Sequence, residues 1–171
     1  MDSLNDEQKV IFQKYINGEN IFLTGPGGSG KSFLIKSIVQ HGEKEELENY
    51  EKELEKYKNE EVEIKKPKKK IQVCALTGCA SILLNCKATT IHRFAGIGLA
   101  NKPIDDVVEF VFSKKQRYKL KKWFTIKCLI IDEVSMLSLK LLLILDKIAR
   151  RVYNKPNLAF GGLQVIFSGD F

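Results

Sequence analysis

The 171-residue sequence has no apolar run that approaches the roughly 20 residues needed to cross a bilayer. Its opening, MDSLNDEQK, lacks the basic start and apolar centre of a secretory signal. Cysteine is sparse. Cys74, Cys79, Cys86 and Cys128 include no pair two residues apart, and neither histidine joins them at a metal-ligand spacing. That argues against a zinc site and fits a reducing interior. Cys74 and Cys128 sit in apolar, strand-like runs and read as small core residues. What is present is the balance of a soluble globular chain, 44% apolar and 29% charged, long enough for one domain with a real core.

Negative charge is also in short supply. The net charge is +7, and it is unevenly spread. Residues 43–70 hold nine Lys against ten Glu, a contribution of −1, so the remainder carries +8. Between Asn101 and Lys127 there are eight basic and three acidic residues. Such a concentration suits a polyanion such as nucleic acid; a solvated helix face is the plain alternative.

Four apolar, β-rich runs stand out: NIFLT (20–24), IQVCALT (71–77), KCLIID (127–132) and LQVIFSG (163–169). None alternates cleanly, so each is expected to be buried on both faces. Helical patterns separate them, in DEQKVIFQKYING, KSFLIKSIVQHG and LSLKLLLILDKIARRVY. The repetition predicts an α/β fold with a parallel sheet between helical layers. Residues 43–70 interrupt it as a charged insertion. Leu47, Tyr50, Leu54 and Tyr57 fall at a and d spacing, Glu48 precedes Lys52 by four, and acids come before lysines. The pattern predicts a protruding helical arm with a basic tail. KKPKKK in that tail reads as an import signal, a nucleic-acid contact or a solvated lysine run.

GPGGSGKS, Gly25 to Ser32, matches G-x-x-x-x-G-K-[ST], follows a strand and opens a helix. In that context it is a P-loop. Gly25, Gly27, Gly28, Ser29 and Gly30 let backbone N–H groups turn toward phosphate oxygens, and the helix start adds its dipole. Lys31 would reach the β and γ phosphates of ATP, and Ser32 would ligate Mg²⁺. CLIIDEVSM then ends a strand in Asp132, a second Mg²⁺ partner, and Glu133, the natural general base for water. Gln8 has two readings. Asn5 and Gln8 fit a capping box, and a glutamine amide also matches the donor and acceptor edge of adenine. Taken alone the residues favour the cap; the run from Gln8 to the P-loop resembles the distance that several ATPase families use, which favours adenine.

LNDEQ, LTGPGGSGKS, LTGCASILL, ATTIHRFAGIG, LIIDEVSML and FGGLQVIFSGDF occur in that order. Together they resemble the first RecA-like lobe of the petite integration frequency (Pif-one) helicases, superfamily-one enzymes that move 5′ to 3′ on single-stranded DNA. The resemblance implies a RecA-like P-loop NTPase sandwich over 1–171, with 43–70 as an inserted arm. It implies ATP and Mg²⁺ as cofactors, single-stranded DNA and duplex junctions as partners, and a monomer working in replication, repair or telomere maintenance. It assigns Lys31 and Glu133 to catalysis. It assigns Thr77 and Gly78 to a DNA phosphate, and Thr90, His92 and Phe94 to the next DNA segment. For Phe94, base stacking and ordinary packing stand side by side.

In that family GDF is followed by a glutamine, a Leu-Pro-Pro run and a second lobe. This sequence stops at Phe171. The resemblance therefore implies a fragment that binds ATP–Mg²⁺ and DNA weakly, hydrolyses slowly and does not unwind. Two other functions are weighed: a single-stranded-DNA or protein binding module without turnover, and a P-loop kinase, which the Asp-Glu pair disfavours.

Overall fold

The four β-rich runs do become strands of one sheet. The computed structural model describes residues 4–58, 70–84 and 86–170. The strands are β1 (Ile21–Thr24), β2 (Ile71–Ala75), β3 (Thr89–Thr90), β4 (Cys128–Asp132) and β5 (Gln164–Gly169). They lie in the order β1-β5-β4-β2-β3, and every pairing is parallel. Burial of β2 and β4 along their whole length explains why their sequences do not alternate. The expectation fails at β1. It is an edge strand, and while Ile21 and Leu23 point into the core, Phe22 is 60% exposed.

Among the described residues six α-helices complete two outer layers: α1 (Asp6–Ile16), α2 (Lys31–Lys56), α3 (Gly78–Leu83), α4 (Ile91–Ala95), α5 (Ile104–Phe112) and α6 (Leu139–Tyr153). Phe12 and Tyr15 of α1 and Leu34, Ile35 and Ile38 of α2 pack with Val73, Ile130 and Ile166 on one face. Residues of α4, α5 and α6 pack with Cys74, Leu129, Ile131 and Val165 on the other. This is a three-layer, RecA-like α/β sandwich. Leu141, Ile144, Leu145, Ile148 and Val152 of α6 are buried at helical spacing. Ser138 caps that helix by accepting from the Leu141 amide at 3.2 Å.

The arm differs from its expected form. The helix opened by the P-loop does not stop at Gly42 but runs without a break to Lys56. Gly42 is buried, and a Cβ there would lie 2.3 Å from Ile71 Cδ1. Its missing side chain serves close packing against β2 and does not end the helix. Within the apolar stripe of the arm Leu47 and Leu54 are exposed, while Tyr50 and Tyr57 are half-buried. Glu46 is tucked in instead, and its Oε1 accepts from the Lys70 amide at 2.9 Å. Burial raises its carboxyl above the usual range, while the Lys70 amide pulls the other way. KKPKKK, apart from Lys70, lies outside the described residues. Among the described residues, no helix is long and apolar enough to cross a membrane.

Candidate nucleotide and nucleic-acid site

Strand order lays the chemical segments along one rim. At the carboxyl ends of the strands, the P-loop follows β1, Asp170 follows β5, Asp132 and Glu133 end β4, Thr77 follows β2, and Thr90 ends β3. Open parallel sheets bind ligands at that edge. Asp132 is one strand removed from the P-loop strand, with β5 between them.

Gly30 sits at φ +89°, and a Cβ there would fall 2.6 Å from Gln8 Nε2. The turn into α2 thus needs glycine for its handedness and for the approach of Gln8. No side chain caps α2, so the amides of its first turn stay open to an anion. Gln8 fulfils its capping reading. Its amide accepts from Gln8's own box partner, the Asn5 backbone N–H, at 3.1 Å, while Asn5 Oδ1 accepts from Gln8 N at 2.8 Å. The same side chain turns Nε2 toward Gly30 O at 3.5 Å, so it also borders the P-loop.

Lys31 is folded back on its own loop. Its Nζ donates to Gly25 O at 2.6 Å and Pro26 O at 3.1 Å, and it pairs with the Asp170 carboxylate. The other Asp170 oxygen lies 3.7 Å from where a Gly27 Cβ would be, so the carboxylate stands over the phosphate cradle. Sequence reasoning left Asp170 without a role; a lysine on one loop and an aspartate on another carry no mark of their pairing.

Asp132 is 7% exposed at the end of β4 and makes no ion pair with a described cation. Glu133 adopts φ 58°, ψ 42°, a left-handed conformation costly for a side chain of this size. Strain of that kind concentrates where a side chain must be aimed. Ser168 of β5 lies level with Leu23 of β1, and its Oγ is buried without a hydrogen-bond partner. By strand alternation it shares the face of Ile166, which packs under α2. A buried hydroxyl without a partner calls for a water or ligand network. Among the described residues, no group of three or more His, Cys, Asp or Glu makes a metal cage. Mg²⁺ bound with a triphosphate does not need one: a hydroxyl, a carboxylate, waters and phosphates suffice. Ser32, Asp132 and the unpartnered Ser168 hydroxyl fit that donor set.

Toward the other end of the rim, Thr77 caps α3, its Oγ1 accepting from Ala80 N at 3.2 Å. Thr90 caps α4, accepting from Arg93 N at 3.4 Å. The pairing of Ala75 with Thr90 sets the two strand ends side by side. Gly78 and Cys79 are exposed and His92 is half-buried. Phe94 corrects the stacking expectation. It is 0% exposed and packs against Trp123 with ring centroids 4.7 Å apart, so it offers no face to a base.

The geometry agrees with what the chain is similar to. A model of the family described as PIF1-like helicase matches residues 57–171. "ATP-dependent DNA helicase PIF1" of Saccharomyces cerevisiae is 38% identical over 98% of this chain. "Uncharacterized protein 030L" of Invertebrate iridescent virus 6 is 34% identical over 98% of it. The chain spans 17% and 27% of the length of these two relatives. The crystal structure of Pif1 helicase from Candida albicans superposes with a TM-score of 0.74 at 30% identity, covering all of this chain and 33% of that one. A Bacteroides Pif1 in complex with ADP-AlF3 and single-stranded DNA matches at TM-score 0.66 and 28% identity, over 98% of this chain and 32% of that one. On sequence and on structure alike, the chain belongs to the PIF1-like helicase family.

Proposed function

We propose that this chain is the ATP-binding first lobe of an ATP-dependent 5′-to-3′ DNA helicase, with a triphosphate at the β1 side of the rim and single-stranded DNA at the β2–β3 side. The single observation that carries the reading is the shared rim: the P-loop, Asp132–Glu133 and Thr77 lie at the carboxyl ends of strands of one parallel sheet. The uncapped amides of the first turn of α2 and the glycine N–H groups of the loop would hold phosphates, and Lys31 would leave the loop carbonyls and Asp170 to meet them. Gln8, at the mouth of the loop, would take the adenine edge on exchanging its capping bonds. Ser32 and Asp132 would hold Mg²⁺, which when bound neutralises phosphate charge. Glu133, fixed by its left-handed backbone, would accept the proton of an attacking water. Thr77, Gly78, Thr90 and His92 would line the strand of DNA, each threonine hydroxyl accepting a capping bond and keeping its own O–H to donate to phosphate.

The reaction this lobe supports alone is slow. Arginines supplied from outside a P-loop site contribute about 10³–10⁵ in turnover, and stepping along DNA needs two bodies that close and open. The test is a titration of a fluorescent ATP analogue with Mg²⁺ against wild type and Lys31→Ala. We expect at least tenfold weaker binding by the variant, and equal affinity would remove the nucleotide assignment. Filter binding of single-stranded DNA with and without the analogue checks the second half of the rim.

A further inference from the structure

Between Glu109 and Asp132 the chain has no acidic residue. Lys114, Lys115, Arg117, Lys119, Lys121 and Lys122 fall within that interval. Among the described residues none of them joins an ion pair, and the nearby carboxylates Asp105 and Glu109 are taken by Lys147 and Arg151. The unusual feature is what accompanies the charge. Residues Arg117–Lys122 form a 3₁₀ helix, in which side chains three apart eclipse one another. Leu120 and Trp123, 2% and 0% exposed, make its buried side. Tyr118, Lys121 and Phe124 make an outward line, with the two aromatic rings 62% and 63% exposed. The Phe124 amide still donates to Leu120 O, at 3.4 Å, so the helical course carries past the last 3₁₀ residue. At about 2 Å rise per residue the backbones of Tyr118 and Phe124 stand roughly 12 Å apart, with exposed Lys121 midway along the chain between them.

This face is held in place from two sides. Tyr153 of α6 donates its hydroxyl to the carbonyls of Trp123, at 2.5 Å, and Ile126, at 3.2 Å, which frame Phe124. The Lys119 side chain lies along Gly96, at the end of α4, where a Cβ would meet its Cδ at 2.9 Å. The basic face therefore adjoins the helix that carries His92 and Arg93. A solvated lysine helix accounts for the charges. It gives Tyr118 a partner as well, since the Lys119 ammonium lies 5.8 Å from that ring's centroid, but it does not account for the 63% exposure of the Phe124 ring beside the same charges.

We propose that the Tyr118–Lys121–Phe124 face is a second contact for single-stranded nucleic acid, its rings stacking on bases and its cations pairing with phosphates. Stacking on rings is sequence-tolerant and pairing with lysines is salt-dependent, so the contact is non-specific. It rests on the reading that this chain acts on single-stranded DNA, and it places part of the strand beyond the rim, past α4.

The test is fluorescence anisotropy of a short labelled oligothymidylate across a salt series. Wild type is compared with Tyr118→Ala/Phe124→Ala, with Tyr118→Phe and with Lys121→Glu/Lys122→Glu, each checked for an unchanged melting curve. The aromatic double variant should bind about tenfold or more weakly with an unchanged salt slope. Tyr118→Phe should keep wild-type affinity. The charge variant should flatten the log–log salt slope by about 1.4, two phosphates at 0.7 each. Wild-type affinity in the aromatic variant overturns the proposal, whether or not the charge variant weakens binding, and marks those rings as a protein-docking surface or a bare one. Failure of wild type to bind the oligonucleotide at all removes this proposal together with the DNA half of the proposed function.

Discussion

Depth separates the aromatic residues of this chain into two kinds. Phe94 and Tyr118 both sit in stretches whose sequence points to nucleic acid, yet Phe94 is sealed in the core and Tyr118 stands in water. A ring with no exposed face contributes dispersion and area burial, and nothing to a ligand. Phe94→Ala should therefore destabilise the fold by about 3–5 kcal/mol. The milder Phe94→Leu should cost about 1 kcal/mol and leave the affinity of folded protein for an oligonucleotide within about twofold. A stacking residue would show the reverse, near-normal melting with roughly tenfold weaker binding. Paired thermal melts and anisotropy titrations decide it. Sequence alone left this open for a physical reason. TIHRFAG fixes the residue types, but the burial of Phe94 depends on Trp123, which arrives from almost thirty positions later and stacks on it. The capping reading of Gln8 was legible because it is local, a spacing of three from Asn5, whereas its approach to Gly30 joins two separate elements, α1 and the start of α2, and was not.

At the scale of elements, β5 and α2 meet through one ion pair. Asp170, just past β5, holds Lys31 in the first turn of α2 and keeps its ammonium on the loop carbonyls. A triphosphate entering the loop has to take that ammonium over, and meets the Asp170 charge as it does so. Asp170→Asn removes the competing charge while keeping the shape. It should tighten binding of a fluorescent ATP analogue about three- to tenfold, the worth of a partly exposed ion pair. Weaker binding by the variant would show instead that Asp170 helps to hold nucleotide. Most elements were readable beforehand because β2, β4, β5 and α6 combine length with an unambiguous apolar pattern. Two features were not. Gly42 looks like a helix end and is a packing contact with Ile71, so α2 passes straight into the charged arm. The strand β3 is two threonines long and exists only through its pairing with Cys74 and Ala75.

For the whole molecule, the sheet order spreads the candidate segments along its rim. The P-loop and Asp170 occupy one end, the α3 and α4 starts occupy the other, and Asp132 with Glu133 stands between. Ligands at the two ends are therefore expected to protect different atoms, and the cysteines report on this without any mutation. Cys79 is exposed in the first turn of α3, beside Gly78. Cys74 is fully buried in β2, and burial pushes the Cys128 thiol up to about 12, so it holds almost no thiolate at neutral pH. A maleimide at pH 7 should alkylate Cys79 first and spare Cys74 and Cys128. Single-stranded DNA should slow the modification of Cys79, because a strand passing Thr77 and Gly78 covers its sulfur. An ATP analogue with Mg²⁺ alone should leave that rate nearly unchanged, since β5 and β4 lie between the P-loop strand β1 and the β2 that leads into α3. Peptide mapping of the alkylated chain reads both rates at once. Equal protection by DNA and by nucleotide would mean that the two ends of the rim are not separate sites, and no protection by DNA would move the strand off α3 altogether.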